Sequence, residues 1–518
     1  MKGGRSAVGI SIVVLVIFVV SGSSLFPGAG SSASAAATRA SGASPSPPLA
    51  SMFIGRGLAT GQPSPYCNVG EFANLTPVTV TNPYNVLCYT PQDLRTAYDF
   101  PNYLDGTGQT IVIVDPFGSP TVQADLNAFD TAFHIPRTTI QVVCEGGVCP
   151  VFNASDPIQV GATSEIDEDT QWAHAMAPGA HIVLFVARSD DDLSLEQAAL
   201  GAVVMFPHSI VSQSFGDFEP DMTDGTCFLL TDTPNGVCSP AYVRETLATG
   251  ETAYELAARE GTTVFAGSGD WGADNSPFGY TAANPLYPAS SPWVTAVGGT
   301  MGLPYYFGTI PSCGASPTCS TGLVNFLNTP SCQLNTATPT ATARCTPVGY
   351  GDEQVWNEPA FDVASGGAPS AFFGVPPYQR GLGLTARTTP DVSFNAAGDG
   401  GVFIYWSLGG AGPGFYDAFG TSQGSPCWAG IAALADQLAA LEHRGPIGFI
   451  NPALYEIGNS PGLYHRDFHD ITVGDNIVAG SPDNVGYNAG PGWDGATGWG
   501  TPDVANLVPD LVALSGNY

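Results

Sequence analysis

The chain has 518 residues, 44% of them hydrophobic, with 45 Asp plus Glu against 14 Lys plus Arg and a formal net charge of −31. The hydrophobic share excludes a disordered polymer, and the acidic balance excludes nucleic acid and anionic membranes as partners. With seven His added to those 14 cations, little positive charge accumulates once the carboxylates protonate, so the composition tolerates an acidic medium.

Residues 1–37 read as an export signal: Lys2 and Arg5, an apolar run from Ala7 to Val20, and an Ala33-Ser34-Ala35 cleavage pattern. The run is short for a bilayer span, and an uncleaved N-terminal anchor is the alternative. Residues 38–87 form a flexible N-terminal segment, and Ser, Ala, Gly and Pro dominate residues 24–50. A folded domain is expected over 88–518, as a monomer. Its buried strands are Gln109 to Asp115, His181 to Ala187, Ile210 to Gly216, Thr262 to Ala266 and Trp293 to Val297. Helices lie between several of them, at Thr121 to Phe133, Glu165 to Met176, Leu195 to Val204 and Val243 to Arg259. This alternation predicts an α/β fold, a parallel twisted sheet flanked by helices on both faces.

Eleven cysteines suit an exported chain. Ten fall into close sequential pairs, Cys67/Cys88, Cys144/Cys149, Cys227/Cys238, Cys313/Cys319 and Cys332/Cys345, and nearest-neighbour disulfides are the simplest pairing. Four of them lie in 302–351, which reads as a stapled surface insertion. Cys427 is left over in an apolar helical stretch and reads as a buried, inert thiol. No cysteine or histidine spacing suggests zinc.

Glu165 and Asp169 stand four apart on a predicted helix, so both carboxylates point the same way. At 100° per residue they fall in the middle of the apolar stripe of Ile166, Trp172, Ala173, Met176 and Ala177. Asp167, Gln171 and His174 face the other side, and Asp167 and Glu168 are expected in solvent. Two acids in a core repel each other and lose solvation, so shifted pKa values and catalysis are one reading. Decoration of a helix N-terminus, where the dipole favours acids, is the other.

In a parallel sheet the chemistry collects at the carboxyl ends of strands, where the strand ending at Ala266 runs into Gly267-Ser-Gly-Asp270. Asp270 is therefore a candidate, with a backbone-capping turn Asp as the plain alternative. Ser422 stands at the N-terminus of a long apolar helix with Pro426 expected in its first turn, and an N-cap is its plain alternative.

Taken in order, several segments from about Tyr89 to Pro502 resemble the sedolisin family, the serine-carboxyl peptidases. The carriers are Glu165-x-x-x-Asp169 with Ala173 to Ala180, Val211-Ser-Gln-Ser-Phe-Gly216, Ser268-Gly-Asp270-x-Gly-Ala273, Pro288 to Gly299, Gly420-Thr-Ser422-x-x-x-Pro426, and Gly490 to Gly498. The resemblance implies a subtilisin-like fold with Ser422 as nucleophile, Glu165 as general base, Asp169 as its supporting acid and Asp270 as oxyanion donor. It implies a secreted, acid-active endopeptidase acting on protein or peptide substrates. A tripeptidyl exopeptidase and a non-catalytic extracellular binding protein that keeps the fold are the alternatives. A Ser/His/Asp protease using Asp115 fails because none of the seven histidines carries the expected Gly-Thr.

The stretch Asp470-Ile471 with Gly490, Gly492 and Asp494 resembles the family's site for one structural Ca2+. Two carboxylates plus the carbonyls of Ile471, Gly490 and Gly492 are hard ligands that suit it. Capped Gly/Pro turns are the plain alternative. Two departures stand out: Phe419-Gly-Thr-Ser422-Gln-Gly around the nucleophile, and a prodomain that is reduced to 38–87 or absent.

Overall fold

The computed structural model describes residues 66–68, 85–224, 239–276, 280–305, 350–359, 361–398, 400–409 and 412–515. The export signal, nearly all of the N-terminal segment and all but the ends of the 302–351 insertion lie outside the described residues. So do the cysteine pairs 227/238, 313/319 and 332/345 and the side chains of Cys67 and Cys88. The Cys144–Cys149 disulfide forms, around the turn Glu145–Gly147.

Strands Thr110–Pro116 (β1), Gln141–Cys144 (β2), His181–Ala187 (β3), Ile210–Gln213 (β4), Thr263–Gly267 (β5), Thr295–Tyr305 (β6), Tyr350–Val355 (β7) and Val392–Asn395 (β8) make one eight-stranded sheet. The order is β7-β6-β5-β4-β1-β3-β2, with β8 paired to β6, and every pairing is parallel except β6 with β7. The alternating side-chain direction of a strand supplies two cores. Ile111 and Ile113 enter one, with Ile182, Leu184, Phe265 and Val297, and Val112 and Val114 enter the other, with Val183, Phe185, Val211 and Ala266. Helices Val122–Phe133 (α1), Pro157–Met176 (α2) and Thr421–Leu441 (α5) cover the first face; Asp192–Met205 (α3) and Pro240–Glu260 (α4) cover the second.

Helix α2 starts at Pro157, well before Glu165, because Asp156 caps it by accepting from Ile158 N and Pro157 needs no donor in the first turn. Glu165 is thus deep inside the helix, and decoration of a helix end no longer accounts for it. The helix is also covered twice. A four-stranded sheet of Tyr66–Asn68, Asn85–Tyr89, Gly401–Trp406 and Gly414–Ala418 lies near its second side. Gln171 exchanges two 2.8 Å hydrogen bonds with the backbone of Tyr405, and Trp172 Nε1 donates to Phe403 O at 3.0 Å. The expectation that Asp167, Glu168, Gln171 and His174 face solvent is therefore wrong: all four are fully buried. A helical wheel assigns one buried face, and from Thr163 to Met176 this helix has none left for water.

Helices α2 and α5 pack directly on each other. Gly430 makes that possible, since a Cβ there would overlap Met176 Cβ, and Gly424 lets α5 sit on the sheet, where a Cβ would lie 2.6 Å from Val297 Cγ1. Filling the first contact forces apart the two helices that carry the candidate residues. Gly430→Leu should destabilise the protein by about 1–3 kcal/mol, lower its melting temperature in calorimetry and reduce turnover below the unfolding range. An unchanged melting temperature would refute the tight contact.

Candidate active site

The first turn of α5 is held by an acid. Gly420, at φ 119°, precedes the helix, Thr421 opens it and Ser422 follows, so Ser422 is not the N-cap. Asp270, in the glycine turn after β5, takes the capping role: its Oδ1 accepts from Thr421 N at 2.7 Å and Thr421 Oγ1 at 2.9 Å. Thr421 Oγ1 in turn accepts from Gly269 N at 3.0 Å. With Oδ1 occupied as acceptor, the second oxygen, Oδ2, is the one that can carry a proton. It sits close enough to Gly420 that a Cβ there would lie 2.8 Å away. Burial raises the Asp270 pKa, against the lowering effect of the Thr421 hydrogen bonds. The carboxyl can thus be a neutral donor beside Ser422.

On α2, Glu165 and Asp169 are both buried. Ser214, just past β4, joins this helix to α5, with its Oγ 2.9 Å from Asp169 Oδ1 and 3.2 Å from the Ser422 carbonyl oxygen. Desolvation pushes the Asp169 pKa well up, and the charges of Asp115, Glu165 and Glu168 push it the same way. Asp115 ends β1 and is raised by burial and by Glu165. The structure therefore brings Glu165, Asp169, Asp270 and Ser422 to one region, where the carboxyl ends of β1, β4 and β5 meet the first turn of α5.

Two members of the region escaped the sequence. Asp115, weighed only for a different triad, belongs to this cluster; its position at a strand end was the available signal. Glu168, placed in solvent, is buried and acted on by Glu165, Asp270, Asp417 and Asp115, and burial raises its pKa most. Asp167 packs toward Asp125 on α1, again with a strongly raised pKa led by desolvation. Neither is a neutral bystander. His174 is also buried, lying on the far side of α2 from Glu165, nine residues on at 100° each. Its Nε2 meets Pro136 O at 2.8 Å, so that nitrogen carries the proton, and desolvation lowers its pKa. It supplies no catalytic imidazole. Cys427 is buried, with its thiol pushed up first by desolvation and then by Glu168 and Asp169, as an inert thiol should be.

At the other proposed site, Asp470 and Asp494 lie on loops that meet at Tyr464, whose hydroxyl donates to Asp470 Oδ1 at 2.8 Å and feels both charges. Gly492 N donates to Asp470 at 3.1 Å and Gly490 N to Asp494 Oδ2 at 3.0 Å. Burial raises the Asp494 pKa. Among the described residues no group of three His, Cys, Asp or Glu converges on a metal position. An ion there would rest on two carboxylates and backbone carbonyls, including those of Ile471, Gly490 and Gly492, and this hard-oxygen set fits Ca2+.

Many buried acids give a definite pH dependence. Burial lifts Asp130, Glu219, Glu251 and Asp436 each to about 7. Between the unfolded carboxyl pKa near 4 and these values the folded chain holds more protons than the unfolded one, so stability falls as pH rises. Calorimetry should find the highest melting temperature near pH 4 and a steady decline toward pH 7. A melting temperature that rises over that interval would contradict the raised pKa values.

The fold is a subtilisin-like α/β fold, and it gathers a serine and three carboxyl groups in one region. The chain is similar to members of the sedolisin family, the serine-carboxyl peptidases. It is 28% identical over 442 residues to kumamolisin of Bacillus sp. (strain MN-32), covering 82% of this chain and 64% of that protein. It is 31% identical over 275 residues to tripeptidyl-peptidase 1 of Mus musculus, covering 50% of this chain and 39% of that protein. The matches thus span less than two thirds of these relatives. A solved structure of Pseudomonas sedolisin, a serine-carboxyl proteinase complexed with two molecules of pseudo-iodotyrostatin, aligns with a TM-score of 0.61 at 27% identity, over 82% of this chain and 98% of that one. No family model matches the chain.

Proposed function

We propose that this chain is a secreted, acid-active serine-carboxyl endopeptidase. Ser422 Oγ attacks the carbonyl carbon of a peptide bond while Glu165 accepts the Ser422 proton. Asp169 holds Glu165 in place, and the protonated Asp270 donates through Oδ2 to the oxygen that becomes negative. As the C–N bond breaks, Glu165 returns the proton to the leaving amine, and an acyl ester remains on Ser422. Water then attacks that ester, again with Glu165 as base, releasing the acid product and restoring the serine. The observation that carries this reading is the Asp270 carboxyl, clamped through one oxygen to the turn that bears Ser422 and biased by burial toward the protonated form.

Protein and peptide substrates, a monomeric state and one structural Ca2+ at Asp470, Ile471, Gly490, Gly492 and Asp494 belong to the same proposal. Export rests on the N-terminal sequence, and among the described residues no helix is long and apolar enough to cross a membrane. The ion would neutralise the paired carboxylates of two loops and brace them against unfolding, away from the chemistry.

Two experiments test the proposal. Digestion of an unfolded protein at acidic pH, read by mass spectrometry, should yield internal cleavages with wild type. Ser422→Ala and Glu165→Gln should each lose at least roughly a thousandfold in turnover, and the double variant should be scarcely worse, because the two act as one unit. Products trimmed by three residues from the N-terminus would indicate the exopeptidase instead, and an inactive, folded wild type would favour a binding protein. Separately, melting at neutral pH should rise with added Ca2+ and fall with chelator. Indifference to both, with no bound metal, would remove the ion from the account.

A further inference from the structure

In a regular helix the carbonyl of Ser422 would accept from the N–H of residue 426, but residue 426 is a proline and has none. Pro426 is the sixth helical residue, beyond the first turn where its missing donor would be harmless. The nucleophile's own carbonyl is thereby left without its helical partner. A part-buried carbonyl that loses its helical donor needs another, and the hydroxyl of Ser214 donates to it at 3.2 Å. That same hydroxyl lies 2.9 Å from Asp169 Oδ1.

A serine hydroxyl has one proton to give. When Asp169 is ionised, the carboxylate is the stronger acceptor and draws that proton, leaving the Ser422 carbonyl without it. When Asp169 is protonated, it donates to Ser214 Oγ, and Ser214 donates onward to Ser422 O. Only the second arrangement ties the first turn of α5 to α2. We propose that Ser214 is a positioning residue that couples the protonation of Asp169 to the placement of Ser422, with Pro426 keeping the Ser422 carbonyl open for it. Protons are conserved, since one hydroxyl proton merely changes acceptor as Asp169 gains or loses its own. The groups that face Asp169 and set when this happens are Glu165 and Glu168 on its own helix, Asp115 at the end of β1, Ser214 after β4 and Cys427 on α5.

This inference rests on the peptidase reading for its kinetic consequence, but not for its physical one. In Ser422→Ala protein, which keeps the backbone carbonyl and turns nothing over, infrared titration of the protonated-carboxyl band that Asp169→Asn removes reports Asp169 directly. Ser214→Ala deletes a donor to the ionised form, so the midpoint should rise by about 0.5–1 pH unit. Pro426→Ala restores an N–H to Ser422 O and frees the hydroxyl for Asp169, so the midpoint should fall. In the active protein, Ser214→Ala should lower kcat about tenfold with KM within about threefold and move the alkaline limb of kcat. Ser214→Thr, which keeps a hydroxyl, should recover most of the loss. An Asp169 midpoint unmoved by both Ser214→Ala and Pro426→Ala, or a Ser214→Ala profile that is only scaled down uniformly and not rescued by Thr, would overturn the coupling. An inactive wild type with the midpoints moving as described would remove the peptidase reading and leave the coupling standing.

Discussion

A carboxyl group buried among other carboxyl groups must hold its proton or find a cation, and the charged groups acting on Asp115, Glu168 and Asp169 are acids. Asp115, Glu168 and Asp169 act on one another, and Asp270 and Asp417 act on Glu168. Desolvation is the leading cause of every raised pKa in the group, and mutual repulsion adds to it. A proton held by one of Asp115, Glu168 and Asp169 therefore eases ionisation of the other two. Elsewhere the chain shows the other solution. Asp391 is fully buried but meets Arg387 in a two-armed pair, at 2.7 Å through one oxygen, and also accepts from Tyr455 OH and Ala296 N. Asp391 is given a guanidinium, whereas among the described residues no cation acts on Asp115, Glu168, Asp169 or Asp270.

The fold exists to hold that acid cluster away from water. Tight contacts at Gly424 and Gly430 bring α5 against the sheet and α2, while the Gly401–Ala418 sheet covers the opposite side of α2. Helix α5 begins where β5 ends because Asp270 caps it, so the oxyanion candidate and the nucleophile turn are fixed by the same two hydrogen bonds. Stability and chemistry point to the same pH range. Buried acids favour the folded state at acidic pH, and a protonated Asp270 is the donor that the proposed reaction needs.

Much of this was legible in the chain. The apolar runs from Gln109 to Val297 located five of the eight strands, and the four-residue spacing of Glu165 and Asp169 marked them as a pair. The short strand Gln141–Cys144, the polar strand Tyr350–Val355 and Val392–Asn395 were passed over, since their tertiary partners define them more than their composition does. Asp167, Glu168 and His174 were misplaced for one reason: amphipathic analysis assumes a solvent face, and here α1, the acid cluster and a second sheet fill it. Ser214 lay inside the Val211-Ser-Gln-Ser-Phe-Gly216 segment, but nothing in the sequence gave its side chain a role. Its role appears only when the proline at 426 and the fold place its hydroxyl between an acid and a carbonyl that share no sequence neighbourhood.

The central claim is that the carboxyl at Asp270 works as a proton-bearing donor beside Ser422. The most direct test is the pH dependence of kcat/KM for wild type and Asp270→Asn on one peptide, with folding verified at each pH. An amide donates without needing a proton. The account predicts that wild-type activity falls as pH rises through the Asp270 titration, whereas the Asn variant, at a reduced level, loses that alkaline limb. An Asn variant that keeps the wild-type alkaline limb, or that is inactive at every pH although folded, would contradict the account.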